Sequence, residues 1–361
     1  MADQIGGDVA LAAQMRRLIY GQLLSRALCA VAALGIPDTL AEGPRTAEYL
    51  AEQCGAHPRA LRQVLRALVT FDAFVQHEDG TFGLTPLGAT LRTDAVASAL
   101  PTALLVGGEI GHAWNDFLST VRTERPAFEN VFGAGFFAYL ESHPELRGTF
   151  DLSQAAWLAP DLEEILHHVD LSNREVVVDV GGGDGALLEH LLTRYPHARG
   201  VLIDLPTAAE RAHERLSVAG LSGRFEICPG DFCATVPSGG DVYVLRQIMH
   251  DLTDERCRKL LTACRAAMTE HSALIIIDLV TDEHTPDDGD PHMTSLMDLY
   301  MMSLFGTKER TSLEFDGLLA AAGFAVRAVT RLSSQMVAIE ALPSGASVPG
   351  GNRTCQALLR S

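Results

Sequence analysis

The apolar positions of the chain fall into three textures. From residue 11 to 35 (LAAQMRRLIYGQLLSRALCAVAALG) they recur at helical spacing, interrupted by Arg16, Arg17 and Arg26, which predicts one long helix. Shorter helical patterns follow (IPDTLAEG, PRTAEYLAEQCG, HPRALRQVLRALVTFDAF), and then VQHEDGTFGLT, whose Asp79-Gly80 pair predicts the turn of a short hairpin. Helices closed by a hairpin make the layout of a winged helix. Residues 95–165 stay helical in pattern and are rich in rings: Trp114, Phe117, Phe128, Phe132, Phe136, Phe137, Tyr139, Phe150 and Trp157. From about residue 175 the runs EVVVDVG, RGVLIDLP, DVYVLRQI and ALIIIDLV alternate with helical stretches. Such continuous runs suit strands buried on both faces of a parallel sheet.

These textures divide the chain into a winged-helix module at 1–100, a helical linker at 101–165, an α/β domain at 166–343 and a tail at 344–361. The last stretch, ALPSGASVPGGNRTCQALLRS, is rich in small and turn residues, so the tail is expected to be poorly ordered. No internal repeat is visible.

Composition narrows the class. The 361 residues are 47% hydrophobic, enough for a sizeable core, and no apolar run approaches the roughly 20 residues that span a bilayer. The polar start MADQIGGDVA does not read as a secretory signal. Seven cysteines (29, 54, 228, 233, 257, 264, 355) are scattered without the CxxC spacing of a zinc site, which predicts reduced thiols and a cytoplasmic protein. A net charge of -18 argues against nucleic acid or an anionic membrane as partner. Arg59, Arg62 and Arg66 would lie on the recognition helix of a winged helix. Yet residues 1–100 hold eight arginines, no lysine and ten acids, a balance of about -2 where a duplex-binding module is basic.

The chemistry gathers at the strand ends. Val176-Val177-Val178-Asp179-Val180-Gly181-Gly182-Gly183-Asp184-Gly185 is a strand running into glycines that open a helix, so backbone can approach a ligand closely. Position 186 is alanine, so a dinucleotide GxGxxG reading stays open as a second choice. Asp204 ends the second run, where a carboxylate can hold ribose hydroxyls. Asp231 and Phe232 follow the third, where an acid and a ring can hold an adenine. Each acid alone is equally explained as a strand meeting solvent. The ordered set points to a nucleoside-type cofactor.

VVDVGGGDG, LIDLP, PGDF, LRQIMHDLTDE and GTKERTSLEF stand in the order and spacing of the caffeic-acid-type, plant-like O-methyltransferases, and the chain resembles the bacterial natural-product branch of that family over nearly its whole length. The resemblance implies a Rossmann-like class I methyltransferase domain, α/β with a mostly parallel seven-stranded sheet, and an N-terminal all-α winged-helix dimerisation domain forming a homodimer. It implies S-adenosylmethionine as cofactor, no metal, and a phenolic hydroxyl of a small aromatic compound as acceptor. Gly181, Gly183, Asp204, Leu205, Asp231, Phe232 and Arg246 would line the cofactor site, Arg246 standing where the family usually has lysine. His250 would be the general base, flanked by Glu309 and by Asp278, where the family often has glutamate. A histidine near pKa 6.5 and a phenol near 10 are mismatched by about 3.5 units, or about 5 kcal/mol, a gap that neighbouring acids can close. Trp114, Phe137, Phe150, Met297 and Met301 would wall the acceptor pocket. The usual His-Asp-Trp reads His250-Asp251-Leu252 here, which puts cofactor packing in question rather than proton chemistry. His284, Asp287, Asp288, Asp290 and His292 form an acidic, histidine-bearing loop that reads as solvated rather than metal-binding. Two alternatives remain open: a nitrogen or carbon acceptor, and a relative repurposed for rearrangement or ligand binding.

Overall fold

The structure is a computed structural model and describes residues 2–282, 291–333, 336–345 and 354–355. His284, Asp287, Asp288, Asp290 and most of the 344–361 tail lie outside the described residues. Cys355 is described: it is buried, and its backbone N donates to Asp316 Oδ1 at 2.7 Å. The chain divides into two compact units, 1–112 with 148–156, and 113–147 with 157–361, so the segment 101–165 is shared between them.

The first unit opens with α1 (Ala2–Ile19) and α2 (Gly21–Ala33), where the apolar pattern predicted one helix over 11–35. The break falls at Tyr20, just before Gly21, a residue with poor helix propensity. The second half buries Cys29, Val31 and Ala32, whereas residues 8–22 are exposed throughout. Next come α3 (Ile36–Thr39), α4 (Ala47–Cys54), α5 (Pro58–Val69), the antiparallel hairpin β1 (Phe74–Gln76) and β2 (Phe82–Leu84), and α6 (Pro86–Ala89). The winged-helix module is therefore not all-α. The pairing of Arg45 with Phe82 ties the hairpin back to the helices. Leu50, Leu61, Leu65, Leu68, Phe74 and Phe82 form the core of this module. The helix α7 (Leu100–Gly107) packs on α2, and Arg26 caps its C-terminal carbonyls at Val106 and Gly107, each at 3.2 Å.

Short helices α8 (Glu109–Ala113), α9 (Phe117–Thr123), α10 (Ala127–Phe132) and α11 (Phe136–Glu141) precede α12 (Pro144–Leu158) and α13 (Leu162–His168). The α/β part then runs β3 (Val176–Val180), α14 (Ala186–Arg194), β4 (Arg199–Asp204), α15 (Pro206–Val218), β5 (Phe225–Pro229), β6 (Val242–Arg246), α16 (Asp254–Ala267), β7 (Ala273–Leu279), α17 (Pro291–Phe305), α18 (Ser312–Ala321), β8 (Phe324–Arg331) and β9 (Met336–Pro343). Among the described residues seven strands make one sheet in the order β5-β4-β3-β6-β7-β9-β8, parallel from β5 to β7. The strand β9 pairs antiparallel with both β7 and β8. The residues of β3, β6 and β7 are almost all buried, as expected of strands covered by helices on both faces. None of the described helices is long and apolar enough to cross a membrane.

The junction of hairpin and α6 has no room for a side chain at Gly88: a Cβ there would stand 1.9 Å from the Ala73 carbonyl oxygen. Gly88→Ala should therefore cost about 1–3 kcal/mol in urea unfolding. An unchanged midpoint would mean that α6 does not pack on the chain before β1.

Candidate active site

The carboxyl ends of the parallel strands carry the candidate groups. After β3 the chain turns through Gly181, Gly183 and Gly185, with φ of 72°, 60° and 79°, a backbone that only glycine adopts freely. A Cβ on Gly183 would meet nothing within 4 Å, so one side of the loop is open to a ligand. Asp204, at the end of β4, is buried. Its Oδ2 accepts from Gly183 N at 2.8 Å, and its Oδ1 accepts from Leu205 N at 2.6 Å. Burial pushes its carboxyl up, and the nearby Arg147 guanidinium opposes that. Phe232 and Ile248 wall the loop, at 3.4 and 2.4 Å from where a Gly181 Cβ would stand. Glycine backbone, a buried carboxylate and a ring thus stand together at these strand ends, a set suited to a nucleoside.

Two of the expected cofactor residues stand differently. Asp231 is exposed; its Oδ1 accepts from Cys233 N at 2.9 Å and lies 3.6 Å from Arg256. Arg246 ends β6 with burial pulling its guanidinium down to about 10 against the acids Asp161, Asp179 and Asp278. Its Nε and Nη2 have no hydrogen-bond partner among the described residues. Asp179 is likewise buried, and burial with Asp204 raises it to about 7.

His250 stands on a single 3-10 turn, Met249–Asp251, launched from β6 by Gln247 in a left-handed conformation (φ 53°). A non-glycine residue held there marks stored strain of the kind found at functional sites. Arg310, itself buried, fixes the turn from behind by donating to the carbonyls of Met249 and Leu252 and to Asp254. The segment with Arg310 runs beside the end of β7 through the Val280–Arg310 bridge, so Asp278 and Glu309 converge on the same ring. Nδ1 lies 3.0 Å from Glu309 Oε1 and 3.3 Å from Asp278 Oδ1; Nε2 lies 3.6 Å from Asp251 Oδ1. Asp278 is held by Met249 N at 3.1 Å, and Glu309 N donates to Asp298 at 2.9 Å. Burial alone would pull the imidazolium down, but Asp278, Glu309 and Asp251 outweigh it and hold the ring up at about 10. Nδ1 and one oxygen each from Asp278 and Glu309 lie within 4.8 Å of one another, a donor set that serves a proton or a cation.

The expected pocket walls divide. Trp114 stacks on Phe117 (4.8 Å between centroids), and Phe137 stacks on Phe305 (5.3 Å) at the end of α17. Met301 is buried and Met297 half-buried on the same helix. This helix packs on α10 and on the turn that carries His250. Phe150 falls within the first unit.

Three residues were not singled out by sequence reasoning. Asp251 is raised to about 7, chiefly by burial. Burial and Asp251 push the Tyr300 phenol up. Arg147 is a buried cation near Asp204. Only Asp251, next to His250 in the chain, had a local signal.

Comparison with known proteins identifies the family. A family model described as an O-methyltransferase domain matches residues 114–325, and one described as an O-methyltransferase dimerisation domain matches residues 16–94. The chain is 44% identical over 331 residues to O-methyltransferase SfmM3 of Streptomyces lavendulae, covering 91% of this chain and 99% of that one. Its fold is similar to the mitomycin 7-O-methyltransferase MmcR, with TM-score 0.87 and 31% identity over 94% of this chain and 99% of that one. It is also similar to NcsB1, an O-methyltransferase from neocarzinostatin biosynthesis solved with S-adenosylmethionine and 2-hydroxy-5-methyl naphthoic acid. There the TM-score is 0.78 and the identity 33% over 89% and 96% of the two chains. The chain belongs to the O-methyltransferase family.

Proposed function

We propose that the protein methylates a phenolic hydroxyl of a small aromatic natural product or biosynthetic intermediate, with His250 as general base and S-adenosylmethionine as methyl donor. The observation that carries the reading is the buried imidazole whose Nδ1 edge is closed by Glu309 and Asp278. The relatives named above support the aromatic class, since their names specify a mitomycin and a naphthoic acid.

Bound at the glycine loop, S-adenosylmethionine supplies an electrophilic methyl group to the acceptor oxygen. Asp204, Leu205 and Phe232 hold its nucleoside part against the bare backbone of Gly181–Gly183, with Asp231 at the exposed edge. Arg246 offers unpaired donors, and Arg147 supplies buried positive charge for an anionic group. At the acceptor, Glu309 and Asp278 fix the Nδ1 proton and leave Nε2 to exchange one with the acceptor oxygen. A ring held up at about 10 matches an ordinary phenol near 10, and because it is mostly protonated at neutral pH, the neutral fraction that acts as base grows as pH rises toward that value. Trp114, Phe137, Met297 and Met301 wall the acceptor, the methionines being polarizable against a planar ring. The donor set at Nδ1 is read as holding a proton and no metal. The reaction belongs in the cytoplasm, consistent with seven scattered, unpaired cysteines.

The same reading makes the protein a homodimer. Leu11, Met15, Leu18 and Ile19 form a helical stripe on α1, continued by Leu23, each between 57% and 70% exposed. A second copy presenting the same face buries such a stripe with closed twofold symmetry.

His250→Ala should lower turnover about 10²- to 10⁴-fold with cofactor binding kept, and lower it less for an acceptor acidic enough to be ionised already. Turnover near wild type with an ordinary phenol would remove His250 from its role. The His250 imidazole should remain protonated at pH 8 in the cofactor-free protein when followed by NMR, because its proton is lost only near 10; a ring titrating between 6 and 7 would contradict this. Light scattering at micromolar concentration should return twice the chain mass, and a monomer would defeat the pairing through α1.

A further inference from the structure

Asp184 sits inside the glycine loop, between Gly183 and Gly185, and is 8% exposed. Its Oδ2 accepts from both Nε and Nη2 of Arg215, at 3.1 and 2.7 Å, and its Oδ1 accepts from Ala186 N at 3.2 Å. The remaining arm of the guanidinium, Nη1, donates to Glu189 Oε2 on α14 at 3.1 Å. Arg215 stands on α15, and one turn earlier on that helix Ala212 Cβ lies 3.3 Å from where a Cβ on Gly185 would be. The helix α15 thus presses on the loop through Ala212 and grips it through Arg215.

Grip matters here because of what the loop is made of. Three left-handed glycines in five residues give this segment large conformational entropy when it is not held. A ligand that must order the loop loses that free energy from its own affinity, and a loop ordered beforehand does not charge it. Gly181 is walled by Ile248 and Phe232, Gly183 N is tied to Asp204, and Gly185 N donates to Gly182 O at 3.0 Å; the side chain that ties the turn from Gly183 to Gly185 to a neighbouring helix is Asp184. Charge adds to this. Asp179, Asp184 and Asp204 crowd the loop, and Asp184 is the one with a bidentate cation on it.

We propose that Arg215 is a positioning residue for the cofactor: through Asp184 it preorganises the glycine loop, and so sets the affinity for S-adenosylmethionine. This rests on the loop being the cofactor site. The competing account is an ion pair that merely joins α14 to α15, and it makes Glu189 as important as Asp184.

The test is calorimetric titration of the cofactor-free, full-length protein with S-adenosylhomocysteine. Arg215→Gln should raise Kd roughly 5- to 30-fold, in line with loss of a charge-assisted pair. Asp184→Asn should do the same, and the double variant should be no worse than either single one. Arg215→Lys keeps the charge without the fork and should recover part of the loss. Glu189→Gln, which spares the loop contact, should stay within about twofold of wild type. In turnover the defect should appear in the KM for the cofactor rather than in kcat or the acceptor KM. Wild-type Kd in Arg215→Gln and Asp184→Asn, or an equal rise in Glu189→Gln, overturns the proposal. If Arg215→Gln does not fold, Asp184→Asn and Arg215→Lys decide the matter by the same criterion. A wild-type protein that binds no S-adenosylhomocysteine refutes the cofactor reading itself, a result distinct from any of these.

Discussion

The buried contact of one imidazole with two carboxylates constrains the catalytic unit more than any other interaction. A histidine and two acids taken out of water are tolerable only if each charge faces another, and Glu309 and Asp278 do this for Nδ1 at 3.0 and 3.3 Å. The three groups come from separate places: the turn after β6, the end of β7, and the segment before α18. Parallel pairing of β6 with β7 brings the first two together, and the bridge of Val280 to Arg310 adds the third. Arg310 then holds the backbone of the histidine turn while its neighbour Glu309 holds the ring, so two adjacent residues fix both main chain and side chain.

The proposed cofactor side lies along the same sheet edge, at the ends of β3, β4 and β6. There the carboxylates are not matched by cations one for one. Asp179 and Asp204 are both raised by burial, Arg246 is lowered by it, and several of their polar atoms lack partners among the described residues. Unpaired polar groups in a cleft cost stability, and a ligand with hydroxyls, an amino group and a positive charge offsets that cost when it binds.

Much of this is legible in the sequence alone. The runs around Val177, Val201, Val244 and Ile276 are continuous because their strands are covered on both sides. The Asp79-Gly80 hairpin and the glycine loop were visible from turn chemistry alone. What escaped depends on partners far away in sequence. Nothing near residue 184 announces Arg215, and nothing near 310 announces the carbonyl of Met249. The expected helix over 11–35 failed at Tyr20 because apolar spacing persists across a break that Gly21 permits. The walls Trp114, Phe137 and Phe150 rest on the family resemblance, because an aromatic ring in a sequence does not by itself tell a pocket from a core.

The strand order carries a consequence for how the chain is made. The last strand among the described residues, β9, is not at the edge of the sheet but lies between β7 and β8. During vectorial synthesis the flank of β7, the strand bearing Asp278, stays unpaired until residues beyond 336 have left the ribosome. The nascent protein can therefore carry His250, Asp278 and Glu309 and still lack the strand that covers β7. Emergence of Met336–Pro343, rather than of His250, Asp278 and Glu309, completes the flank of β7.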